Sequence, residues 1–161
     1  MKSKSIALAL SCGLLSACAA SSAIRTSAST EIVQTSAAPV CGGVGAARVA
    51  QKQAAIDTLK AGYDRYIIYD ASASNDVRVT QMPGSYQTMG TASVYGNMAT
   101  FNANTQYIPG PTIVSGGHHQ SLGVKMFKEG EPGAAQAVSA RDTLGPDWQK
   151  LLKEGTVRTC T

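Results

Sequence analysis

Charge is scarce in this sequence of 161 residues: Lys, Arg, Asp and Glu together make up 15% of it, and aromatic residues only 6%. The 14 Lys and Arg against 10 Asp and Glu leave a formal +4. No stripe of basic residues occurs, so the electrostatic footprint of nucleic-acid binding is missing. Histidine is confined to His118-His119. Adjacent residues on a strand point to opposite faces, which makes them poor joint ligands, and neither a metal nor another cofactor is expected. There is no Cys-x-x-Cys motif for redox chemistry and no Gly-x-Ser-x-Gly elbow to present a nucleophile. After residue 18 no apolar run approaches the roughly 20 residues that a helix needs to cross a bilayer core.

The N-terminus is where the pattern is densest. Lys2 and Lys4 precede an apolar run from Ile6 through Leu10 to Leu15, and small residues close it, the layout of an export signal over residues 1–17. Leu15-Ser16-Ala17-Cys18 follows. It resembles the bacterial lipobox, which implies a diacylglyceryl group on the Cys18 sulfur and an amide-linked palmitate-type chain on its new N-terminus. Cys12 is the competing acceptor, but Ala9-Leu10-Ser11 fits the box poorly. Several acyl chains at one residue anchor a protein stably where one alone is marginal. The expected location is the bacterial cell envelope, at a membrane without crossing it. The outer membrane, on its periplasmic or surface side, is favoured because Ala19 is not the Asp of an inner-membrane retention signal.

Residues 18–40 read as the lipidated Cys and a flexible tether, rich in Ala, Ser and Thr, with a reach of about 26 Å by coil scaling. The competing reading is a short strand from Glu31 to Thr35. With Cys12 removed and Cys18 acylated, Cys41 and Cys160 are left, and in an oxidising compartment these are expected to form a disulfide closing a single domain over residues 41–161. Gly45 to Ala61 carries Val49, Ile56 and Leu59 on one side and reads as a helix ended by Gly62. Tyr63 to Tyr69 reads as a strand covered on both faces, and Val77 to Thr80 as its extension or partner. Leu122 to Phe127 alternates as a strand with Leu122, Val124 and Met126 facing one way. A helix is expected from Glu131-Pro132 to Leu144, and a last one over Trp148, Leu151 and Leu152. The fold class is therefore α+β, a small sheet of about three to five strands packed by one helix on its N-terminal side and two C-terminal helices.

Two segments, Ala54 to Ile68 with its Gly62-Tyr63-Asp64 turn and Ser139 to Trp148, are together similar to a group of small uncharacterised bacterial envelope lipoproteins. That resemblance implies a location and a fold and brings no activity with it. In architecture alone, the chain also resembles envelope-stress sensor lipoproteins.

Asp57, Asp64, Asp70 and Asp76 are scattered and fit a solvated helix face and turns, with Asp70 near a strand end. Gly42-Gly43-Val44-Gly45 lacks the Lys-Ser/Thr and the preceding strand of a phosphate loop, and close packing explains it better. From Pro83 to Gly117 the chain turns to Gly, Ser, Thr, Asn and Tyr, as short hairpins or a long loop. There Tyr86, Tyr95, Phe101 and Tyr107 are the candidate partner-binding residues, since rings among small polar residues make adaptable contacts. The expected function is a non-catalytic lipoprotein that binds or scaffolds an envelope protein or peptidoglycan. The alternative is an enzyme acting on cell-envelope polymers through Asp70 or His118.

Overall fold

The computed structural model describes residues 18–160, so the expected export signal, with Leu15-Ser16-Ala17 of the expected lipobox, lies outside the described residues. Strands β1 (Ala19–Arg25) and β2 (Thr30–Ala37) form a hairpin, and helix α1 (Gly42–Lys60) follows. Six strands come next: β3 (Arg65–Asn75), β4 (Arg78–Gln81), β5 (Ser85–Tyr95), β6 (Met98–Ile108), β7 (Thr112–Ser115) and β8 (His118–Phe127). The chain then runs through the two-residue β9 (Val138–Ser139) into helices α2 (Ala140–Leu144) and α3 (Trp148–Glu154). Five strands make one antiparallel sheet in the order β1-β2-β8-β3-β9, while β4–β7 and β5–β6 are separate two-stranded ladders.

The molecule is sheet-dominated, 48% strand against about 26% helix. This corrects the expected α+β class: most of the stretch from Pro83 to Gly117 is strand, as β5, β6 and β7, and two further segments differ from expectation. The expected tether is paired strand throughout β1 and β2. Along β2, Glu31, Val33, Thr35 and Ala37 are buried, every second residue, so small and polar side chains supply a core face that lacks the large apolar residues of an obvious strand. The helix expected from Glu131 to Leu144 forms only over its last five residues, Ala140–Leu144. Gly133 sits at φ +93°, a short 3₁₀ turn covers Ala134–Gln136, and Val138 pairs with Tyr66.

Helix α1 lies on the β2 and β8 face of the sheet, burying Ala46, Val49, Ala50, Ala54, Ala55 and Ile56 against Val33, Leu122, Val124 and Met126. Alanine serves twice here, as the best helix former and as a side chain short enough for close approach. Gly62, at φ +82°, follows the helix as read from the sequence. Cys41 and Cys160 are joined in a disulfide with Cα atoms 5.6 Å apart. At Gly45 a Cβ would stand 3.1 Å from that of Cys160 and 3.2 Å from that of Cys41, so this glycine lets the first turn of α1 pass against the bridge. The segments Ala54 to Ile68 and Ser139 to Trp148 meet in one corner. There the Tyr66 hydroxyl lies 3.0 Å from Thr143 Oγ1, Ala140 N–H donates to the Asp64 carbonyl and Arg141 stacks on Trp148.

Candidate functional site

The most distinctive feature is an arm. Strands β3 and β8 leave the body still paired, and their ladder passes through β4–β7 into β5–β6, closed by a tight turn at Gly96-Asn97 with Gly96 at φ +58°. The root is tied by the Asp76 carboxylate, which accepts from Gly117 N–H at 2.8 Å and lies 3.2 Å from His119 Nε2. Those two contacts, the backbone bond first, hold the Asp76 carboxyl below its usual pKa. Each strand of the β5–β6 hairpin has 11 residues, about 37 Å of extended chain.

Register decides which side chains share a face. Tyr86 pairs with Tyr107, Thr88 with Thr105, Ala92 with Phe101 and Val94 with Ala99, which puts rings, methyls and two threonines on one side. The tyrosine rings are 5.1 Å apart, and the Phe101 ring lies across Gly90, where a side chain would collide with it. On the other side Gln87 pairs with Gln106, Met89 with Asn104, Thr91 with Asn102 and Ser93 with Thr100. Tyr95 and Met98 close the tip, and Tyr95 is 92% exposed. Every residue of β5 and β6 is exposed. Of the four aromatic residues singled out from the sequence, Tyr86, Phe101 and Tyr107 therefore share one face, while Tyr95 stands apart at the tip.

Two further places hold polar groups. One is an open recess of about 420 Å³ on the sheet face away from α1, among serines of β1, β2, β3 and β8 and His119. Among the described residues no serine hydroxyl is hydrogen-bonded to the His119 ring. The other, at the C-terminal end of α1, is lined by Arg25, Glu31, Asp57 and Lys60. Glu31 is 1% exposed, its Oε1 has no hydrogen-bond partner among the described residues, and Arg25 stands 3.8 Å from its other oxygen. Burial, then repulsion from Asp57, pushes the Glu31 carboxyl up to about 7 against the pull of Arg25. Burial also raises the Asp57 carboxyl, opposed by its bond from Gln53. Asp70 lies at a register shift in β3 opposite Gly123, in an exposed stretch. His118 sits at the start of β8 beside Gly43.

Among the described residues, no group of three or more His, Cys, Asp and Glu is placed to hold a metal ion, and no helix is long and apolar enough to cross a membrane. No protein-family model, curated protein or solved structure matches the chain. Two features of the sequence signal the arm: from Val79 to Val124 there is no Lys, Arg, Asp or Glu, and small or aromatic residues alternate with Gln, Asn, Ser and Thr. Glu31 carries no such signal, because it lies in the Ala-, Ser- and Thr-rich stretch whose composition is that of a tether.

Proposed function

We propose that this chain is a lipid-anchored protein of the bacterial cell envelope that works by binding, with the β5–β6 arm as its contact element. The arm carries the reading, because it is an exposed two-stranded ladder outside the hydrophobic core, a structure that is marginal in water without a partner. The lipobox and Cys18 supply the anchor. Cys18 is followed directly by β1, and its carbonyl accepts from Ala38 N–H at 2.8 Å, so lipid on this residue would hold the body close to the bilayer. In-cell cross-linking tests the reading, comparing the full chain with a variant whose residues 83–110 are replaced by Asn-Gly. Arm-dependent products are expected, and identical products from both proteins would overturn it. Cys18→Ser is expected to abolish labelling by a palmitate analogue and to release the protein from membranes; continued labelling would refute the anchor.

The raised Glu31 carboxyl favours one second reading, an enzyme acting on cell-envelope polymers with Glu31 and Asp57 as its acid and base in place of Asp70 or His118. Hydrolysis of cell-wall fragments that is lost in Glu31→Gln would establish it.

A further inference from the structure

We infer that the β5–β6 hairpin crosses a membrane: hairpins from several copies of this chain pair edge to edge and close one transmembrane β-barrel. The inference rests on the proposed role of the arm as a contact element and names what the arm contacts, namely further copies of itself at its edges and lipid on one face.

The edges come first. The outer edges of β5 and β6 have no strand partner among the described residues. Proteins that keep such edges apart guard them with charges, prolines or bulges. Here the charge-free stretch covers both strands, Pro83, Pro109 and Pro111 lie outside the paired residues, and the ladder runs its full length without a register shift. Nothing in the hairpin opposes addition of a further strand on either side.

The faces supply the second argument. A wall between lipid and water alternates apolar and polar residues along each strand. One face bears Tyr86, Ala92, Val94, Ala99, Phe101 and Tyr107, interrupted by the Thr88–Thr105 pair, and the other is mostly Gln, Asn, Ser and Thr, with Met89 among them and Tyr95, Met98 and Ile108 at its ends. Stacking of such ladders in a water-borne fibre would bury both faces alike, whereas these two differ in kind. A membrane strand needs 9 to 11 residues at a tilt of about 45°, and these have 11 each. The Tyr86–Tyr107 pair marks one end of that span, where aromatic girdles sit. One hairpin cannot do this alone, since lipid leaves the backbone groups of its edges unsatisfied, so closure by copies is required. The expectation of an anchored, non-crossing chain counted long apolar runs, which strands do not need.

Ala19, Ala37, His118 and Asn75 are in register across the sheet, at the end from which the arm departs. Cys18 borders the same recess as Gly116 of the arm root. Val40, 84% exposed, sits at that end with Val114 of β7. Lipid on Cys18 would therefore bring the root of the arm to a bilayer.

The test uses the full-length lipidated protein in planar bilayers of phosphatidylethanolamine and phosphatidylglycerol, with cross-linking of the same protein in native membranes. Discrete conductance and a ladder of self-cross-linked copies are expected. Asn102→Asp, on the lumen side, should keep the channel and increase its preference for cations several-fold. Ala92→Asp, on the lipid side, should abolish conductance and membrane-embedded oligomers, while its Cys41–Cys160 disulfide shows that the body is folded. With single cysteines, a membrane-impermeant maleimide should label Thr91→Cys and spare Ala92→Cys. Equal effects of the two aspartates, equal labelling of the two cysteines, or a non-conducting monomer would each overturn the inference. Arm-dependent cross-links to a different protein would overturn it and leave the arm's role as a contact element standing; cross-links independent of the arm would remove both.

Discussion

Glu31 is the residue whose surroundings conflict most with its charge. It lies on the core face of β2, with Arg25, Asp57 and Lys60 as its ionisable neighbours, and one of its oxygens is unpartnered. Its carboxyl titrates at about 7 in the folded protein, against the usual 4.5 of an unfolded chain. Between those values the folded state binds more protons than the unfolded one, so stability is present at low pH and falls as pH rises through the window. At about 1.4 kcal/mol per pH unit the loss is on the order of 3 kcal/mol, and Asp57, shifted the same way, adds to it. Urea unfolding at pH 5 and pH 8 is expected to show that fall in the wild-type protein. Glu31→Gln should retain less than half of it, because a neutral amide of the same shape carries no ionisation cost. An unchanged fall in the variant would mean that the pH dependence arises elsewhere.

The elements divide into those that build the core and those that project from it. Replacing residues 83–110 by Asn-Gly removes β5 and β6, none of whose residues belongs to the hydrophobic clusters. Thermal unfolding of the shortened protein is expected within about 3 °C of wild type, and a shift beyond about 8 °C, roughly 2 kcal/mol for a domain of this size, would show that the arm supports the body. Legibility in the sequence followed the same division. Helix α1 and the Leu122, Val124 and Met126 face of β8 were readable because large side chains recur at the period of their element. Strands β1 and β2 were not, because Ala19, Glu31, Thr35 and Ala37 bury little apolar surface each and gain their order from α1 lying over them. The arm failed for another reason. Its alternation pits Tyr, Ala and Val against Gln, Asn and Thr, a contrast too mild to register as a period, and the absence of charge over its length was the stronger sign. The four aromatic residues were found without the register that sorts them onto a face and a tip.

At the scale of the whole molecule the C-terminal segment decides how the ends are held. From Gly155 to Cys160 the chain forms neither helix nor strand, yet Val157 is buried and its N–H donates to Gln53 Oε1, while Gln53 Nε2 and Lys60 Nζ donate to the Gly155 carbonyl. The Arg158 carbonyl accepts from Ala19 N–H, and Cys160 then reaches Cys41 at the start of α1. The segment thus straps α1 from end to end and ties β1 to the body. The bridge spans 119 residues of sequence, and cross-linking so long a loop removes unfolded-chain entropy equivalent to about 4 to 5 kcal/mol. Scattered hydrogen bonds from an irregular segment, at about 1 kcal/mol each, do not replace that. Cys41→Ser with Cys160→Ser is therefore expected to lower the unfolding free energy by about 3 to 5 kcal/mol. Hydrogen exchange should also accelerate at the Val157 and Ala19 amides while the Val124 and Met126 amides in the centre of the sheet stay protected below the melting temperature. A loss under about 1 kcal/mol with those two amides still protected would assign the hold on the ends to Gln53 and Arg158 instead of the disulfide. That outcome would leave β1, and with it the proposed anchor residue Cys18, fixed to the body in reducing conditions as firmly as in oxidising ones.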